Sequence, residues 1–136
     1  MKWSWSRNPL VYSLVVASLA WNLFILAAVI ANTHFALSRA AGGQYSSFPT
    51  GIRIAYALSF LLVAYQSVIF FALYQGKLVR PSWLPKLFFA ITVLSVLANA
   101  ASRSSNERLN VIPAVIIALA FWQYGVKGNK EEKAKL

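Results

Sequence analysis

Cysteine is absent from this 136-residue sequence, and so is aspartate. Without cysteine there are no disulfides, thiolate metal ligands, iron–sulfur clusters or thiol redox chemistry, which excludes the four-helix membrane enzymes that shuttle disulfides. Histidine occurs once, as His34, so one chain cannot hold a haem between two histidines or build a histidine-rich metal site. Only three residues are acidic: Glu107, and Glu131 and Glu132 in the tail. Charged residues make up 12 % of the chain, against about a quarter in soluble proteins. No cofactor and no metal is expected.

What is present is apolar: 59 % of the residues are hydrophobic. The charges are segregated, leaving Leu10 to Ser38, Ile54 to Gly76, Leu87 to Ser102 and Leu109 to Val126 free of Asp, Glu, Lys and Arg. A bilayer core takes about 20 apolar residues as helix. The first two runs exceed that length. The third reaches it by starting near Ser82 and letting Lys86 snorkel to the interface, and the fourth by starting near Ser105. The expectation is one all-α domain: a polytopic membrane protein whose four transmembrane helices, about 9–32, 52–75, 82–102 and 105–126, form an antiparallel bundle. A polar tail, 127–136, should fray. Lys2 and Arg7 before an apolar run also resemble a signal peptide, but the run is about twice the length of an h-region and no Ala-x-Ala site follows closely. It is read as a retained membrane helix.

An even helix count puts both termini on one side. The termini and the connection between the second and third helices carry nine Lys and Arg (Lys2, Arg7, Lys77, Arg80, Lys86, Lys127, Lys130, Lys133, Lys135), against four in the other two loops (Arg39, Arg53, Arg103, Arg108). By the positive-inside rule both termini are cytoplasmic. Trp3, Trp5, Trp83 and Trp122 fall at that same interface, as belt tryptophans do. The net charge of +10 then expresses topology and attraction to anionic lipid rather than nucleic-acid binding.

Along the chain, Asn8-Pro9 opens the first helix. Its small pairs Ser13/Ala17 and Ala27/Ala31 should admit a neighbouring helix, as should Ala114/Ala118 in the fourth. Asn22 at its midpoint is expected to bond across to another helix, with a polar pathway as the alternative. Thr33 to Gly51 is a long loop, in which Phe35 to Ala41 should form a helical turn and Tyr45 and Phe48 should lie in the interface. Gln66 is costly near mid-membrane unless it faces the bundle. Gly76 should end the second helix, and the short connection to Pro85 makes the second and third helices antiparallel neighbours. Thr92, Ser95 and Asn99 share one face. Pro113 should kink the fourth helix.

Asn99 to Pro113, NAASRSSNERLNVIP, holds the one acid outside the tail. Ser104-x-x-Glu107 fits a capping box, with the Ser104 hydroxyl on the Glu107 N–H and the carboxylate reaching back to the Ser104 N–H. Glu107 also suits the positive end of the fourth helix, and Arg103 the negative end of the third. The functional alternative uses the same residues. His34, Arg39, Arg53, Asn99, Arg103, Glu107 and Arg108 all fall at the outer face, where they could bind an anionic headgroup or relay a proton. Glu107 and His34 would be the acid–base pair.

A membrane-embedded glutamate in the first helix, as in small multidrug-resistance transporters, is missing, and so is the glycine-rich, arginine-containing signature of fluoride channels. Gly42-Gly43, Phe48-Pro49-x-x-x-Arg53 and Asn99-Ala-Ala-Ser-x-Ser-x-x-Glu107-Arg108 followed by Pro113 together resemble a group of small bacterial four-helix membrane proteins. The resemblance spans about Gly42 to Trp122. It implies this topology and an Arg53–Glu107 contact; it carries no activity, substrate or catalytic residue.

Three functions follow as expectations. The first is a non-enzymatic scaffold, accessory subunit or small homo-oligomer, since no charge lies mid-membrane. Its partners would be membrane lipids, other membrane subunits or itself. The second is a small carrier or channel with a basic outer vestibule for an anionic solute, lined by Asn22, Gln66, Thr92, Ser95 and Asn99. The third is an outer-leaflet lipid-modifying enzyme using Glu107 and His34. Across these readings the candidate binding residues are Arg53, Asn99, Arg103, Arg108, Gln66 and Asn22.

Overall fold

Asn8 caps the first helix by accepting the Leu10 N–H at 2.9 Å, and Pro9 follows in a first turn where its missing N–H costs nothing. The computed structural model describes residues 8–136, so Lys2, Trp3, Trp5 and Arg7 lie outside the described residues. Helix α1 (Pro9–Ile30) ends at left-handed Asn32 (φ 54°), and α3 (Thr50–Tyr74) at left-handed Gly76 (φ 74°). The two ends close alike. The Thr33 N–H bonds Ala28 O and the Lys77 N–H bonds Ala72 O, each at 3.0 Å, satisfying carbonyls that the helix leaves unpaired. Between them the long loop folds into α2 (His34–Leu37) and a 3-10 turn, Ala41–Gly43. Phe48 is 4 % exposed and packs on Ala28, Val29 and Ala36 instead of lying in the interface.

Helix α4 (Leu84–Ala100) has 17 residues, fewer than the expected 82–102, because Ser102 leaves the helix to bond Glu107. The last helix starts as one turn, α5 (Ser105–Arg108), breaks at Leu109 and Asn110, and resumes as α6 (Val111–Ala120). The break lies one turn before Pro113, whose ring cannot accommodate the carbonyl of Leu109; the Ile112 N–H takes that carbonyl at 3.2 Å. α6 runs through a π-helical turn, Phe121–Lys127, into α7 (Gly128–Ala134). The tail expected to fray is therefore helical. It is held there by buried Asn129, whose side chain bonds the Val79 N–H at 2.9 Å and the Val79 carbonyl at 3.2 Å. Among the described residues three helices are long and apolar enough to cross a membrane: Pro9–Ile30, Thr50–Tyr74 and Ser105–Glu131.

α6 is central, with α1 and α4 packed along it and α3 packed on α1. At the tail end of the molecule Phe70, Phe88 and Phe121 are fully buried and meet ring to ring, with Phe88 5.6 Å and Phe70 6.5 Å from Phe121. Tyr12 and Tyr124 flank Tyr74 at 4.7 and 5.6 Å. Gly125 lets the π-helical turn close on α4, since a Cβ there would stand 2.9 Å from the Pro85 Cβ. That turn packs against both α3 and α4. Contrary to the expectation from their short connection, α3 and α4 do not pack backbone to backbone. They meet through Tyr65 and Phe88, ring centroids 5.7 Å apart, and one hydrogen bond, with a cavity beyond. The small pairs Ser13/Ala17 and Ala27/Ala31 also depart from expectation: all four are exposed, and α1 packs through Val15, Ser18, Leu19, Ala28 and Val29. Ala114 and Ala118 are buried.

Candidate functional site

Gly42 and Gly43 are left-handed (φ 75° and 67°), which turns the Gly42 N–H toward the start of α5. It donates to Glu107 Oε2 at 2.9 Å. The Ser102 hydroxyl donates to the same oxygen, and the Ser104 N–H to Ser102 Oγ at 3.1 Å. A Cβ on Gly43 would stand 3.2 Å from the Ser104 Cβ, so this glycine allows the loop to sit on the α4–α5 turn. Half of the expected capping box forms, with the Glu107 N–H on Ser104 Oγ at 3.3 Å. The other half does not. The carboxylate bonds Gly42 and Ser102 rather than the Ser104 N–H, while the Ser104 hydroxyl donates to Ser38 O.

The expected Arg53–Glu107 contact is absent. Arg53 Nε donates to Ile30 O at 2.7 Å, and Arg108 Nε to Ser102 O at 2.7 Å. Each guanidinium thus sits on carbonyls at the C-terminal end of a helix, α1 for Arg53 and α4 for Arg108, where the dipole favours a cation. Arg108 takes the place on α4 expected for Arg103, which is exposed. Nor does Glu107 bond His34. His34 is exposed and lines a second, open cleft with Phe35, Ser38, Arg39, Tyr45 and Asn106, of which Arg39 also reaches the cavity between α3 and α4. Among the described residues no three His, Cys, Asp or Glu side chains gather where a metal could sit.

The cavity between α3 and α4 measures about 500 Å³ and brings Asn22, Gln66, Thr92, Ser95 and Asn99 to one surface. Its floor is the buried pair Gln66–Thr92: Gln66 Nε2 donates to Thr92 Oγ1 at 2.9 Å, and Thr92 donates to Phe88 O at 2.7 Å. Asn99 Nδ2 donates to Ser95 O at 2.8 Å. Among the described residues the Asn22 side chain has no hydrogen-bond partner; the interhelical bond expected of it is replaced by exposure to the cavity. At the far end stand Arg39, Tyr56, Glu107 and Asn110. Asn110 accepts from Trp21 Nε1 at 2.9 Å, and the Tyr56 hydroxyl accepts the Ala41 N–H at 3.1 Å. Neither Tyr56 nor Asn110 stands out in the sequence, because a lone tyrosine or asparagine in an apolar helix carries no spacing signal. Arg39 stacks its guanidinium 4.4 Å over the Phe35 ring, and its Nε is buried without a partner. The cavity opens sideways, flanked by exposed Ser59 and Leu62 of α3 and exposed Leu94 and Ala98 of α4.

The floor makes an asymmetric prediction. Thr92→Val leaves the buried Gln66 amide without its acceptor and should destabilise the protein by about 1–2 kcal/mol. Gln66→Leu leaves Thr92 still bonded to Phe88 O and should cost less than half as much. Thermal unfolding of both variants in one detergent tests the order.

Neither a protein-family model, nor a curated protein, nor a solved structure matches the chain.

Proposed function

We propose that the protein is a four-span integral membrane protein of the bacterial inner membrane with both termini cytoplasmic. In this reading it is a non-catalytic accessory protein that holds a membrane-borne amphiphile in the cleft between α3 and α4. The observation that carries this is the shape of the cavity, which is polar at its inner wall and open sideways between two apolar helices. Toward the tail end the buried aromatic core of Phe70, Phe88 and Phe121 closes it, so no continuous path runs along the helix axes. A ligand that belongs half in water and half in lipid matches such a cleft, and its volume lies within the range of about 300–1,000 Å³ usual for small-molecule sites.

The topology draws on the charge asymmetry, on exposed Trp83 and Trp122, and on the resemblance of its sequence pattern to small bacterial four-helix membrane proteins. α4 serves as the fourth span, its length of about 25 Å at 1.5 Å per residue being accommodated by local thinning. Lys77, Arg80, Lys86, Lys127, Lys130, Lys133 and Lys135 then meet anionic headgroups at the cytoplasmic surface.

The absence of cysteine makes each introduced cysteine a unique probe. Cysteine at exposed Ser46 should react with an impermeant maleimide in intact cells, and cysteine at exposed Ser82 only after lysis; the reverse pattern overturns the orientation. For the cleft, native mass spectrometry from nanodiscs should find the wild type carrying one lipid and Ala98→Trp, which fills the opening, carrying none. A wild type that emerges bare refutes the reading.

A carrier is the second reading, favoured by the convergence of Asn22, Gln66, Thr92, Ser95 and Asn99 on one cavity. It requires the aromatic core to part, and solute flux into proteoliposomes would reveal it.

A further inference from the structure

The headgroup that the cleft selects can be read from its charged wall, on the understanding that the cleft holds an amphiphile at all. Of the four arginines in the loops at this end, Arg53 and Arg108 are spent on helix carbonyls and Arg103 is outside the cavity. Of the four only Arg39 lines it, at the boundary with the His34 cleft, and Glu107 lines it too. The vestibule is therefore not basic, as the loop composition led one to expect, but carries one charge of each sign. Among the described residues the two are not paired with each other, and the Arg39 guanidinium donates no hydrogen bond. A buried guanidinium N–H without an acceptor is costly, and its natural complement is a phosphate or carboxylate oxygen. On the opposite charge, both hydrogen bonds to Glu107 fall on Oε2, leaving Oε1 to accept.

From this pair we infer that the cleft binds a zwitterionic headgroup, a phosphate joined to a primary ammonium, of the phosphoethanolamine type. The phosphate accepts from Arg39 and the ammonium donates to Glu107 Oε1, while the acyl chains leave between Leu62 and Leu94. A headgroup with only an anion is repelled by Glu107, one with only a cation by Arg39, and an uncharged one leaves the buried Nε unpartnered. A quaternary ammonium has no N–H to give Glu107 and needs an aromatic cage, whereas Tyr56 is the sole aromatic residue in the lining. The free amide of Asn22 remains for glycerol or ester oxygens.

The test offers the protein equal amounts of phosphatidylethanolamine, phosphatidylcholine, phosphatidylglycerol and diacylglycerol of identical chains in nanodiscs, and reads the retained lipid by native mass spectrometry. Phosphatidylethanolamine should be enriched about tenfold over each of the others, the scale of one charge-assisted hydrogen bond. Glu107→Gln should remove the preference over phosphatidylglycerol, since the glutamine oxygen still accepts from Gly42 and Ser102 but attracts no ammonium. Arg39→Gln should remove the preference over diacylglycerol, and Arg39→Lys should restore most of it. Retention of phosphatidylglycerol at or above phosphatidylethanolamine overturns the headgroup assignment and leaves the lipid-holding reading standing. No retained lipid of any kind overturns both. Displacement of the lipid by an equal concentration of soluble phosphoethanolamine overturns the assignment of the ligand to a lipid while keeping its charge pattern.

Discussion

Phe70→Ala should lower the unfolding free energy by about 3–5 kcal/mol, the range for removing a fully buried aromatic ring. Phe70 is 0 % exposed and its ring lies within 6.5 Å, centroid to centroid, of Tyr12, Phe71, Tyr74, Phe121 and Tyr124. In a bilayer the drive to bury it is not escape from water, because lipid tails are as apolar as the core. What holds it is dispersion: dozens of close atomic contacts that lipid, being more mobile, does not reproduce. Alanine leaves a void between α1, α3 and the π-helical turn, and those elements cannot collapse into it without breaking the Tyr74–Tyr124 and Phe88–Phe121 contacts. Leu58→Ala, at a position 65 % exposed on the same helix, should change stability by no more than about 0.5 kcal/mol. Denaturant unfolding of both variants in one micelle decides it. Equal losses would mean that the aromatic cluster is not the mechanical centre of the molecule.

Glu107→Ala should cost about 3–6 kcal/mol, since hydrogen bonds to a charged group each contribute about 1.5–3 kcal/mol and two are lost. The half-buried Gly42 N–H and Ser102 hydroxyl would lose the carboxylate they share. Glu107→Gln keeps both bonds in neutral form and should cost about 1 kcal/mol. The damage from alanine should be local as well as global. With its tie to α5 gone, the Ala41–Gly43 turn loosens, and trypsin should cut after Arg39 in the alanine variant but not in the wild type or the glutamine variant. Resistance of the alanine variant would show that Ser104 bonding Ser38 is enough to hold the loop.

Much of the architecture is legible in the sequence because it depends on neighbours along the chain. Asn8-Pro9 marks where α1 starts and Gly76 where α3 ends, since capping is satisfied within a few residues. The four apolar runs announce helices because length and hydropathy are properties of a single segment, and three of those helices are of membrane length among the described residues. The shortfall at α4 and the helical tail were hidden, because each rests on a distant partner: Ser102 on Glu107, and Asn129 on Val79, 50 positions earlier.

The faces of the helices were hidden for a different reason. α1 is apolar all round, and a helix that meets lipid on one side and protein on the other needs no periodic pattern. Ser13 and Ala17 therefore read as a packing stripe although they are exposed. Charge partners were equally out of reach. Glu107 finds its partner 65 positions earlier, in a left-handed glycine turn, and Arg53 is drawn instead to the end of α1. Sequence alone determined that the chain is helical, apolar and asymmetrically charged. Only the tertiary structure decided that α3 and α4 stand apart, and that a single arginine and a single glutamate share the wall of the cleft between them, because those facts depend on how the π-helical turn and the glycine turn bring remote segments together.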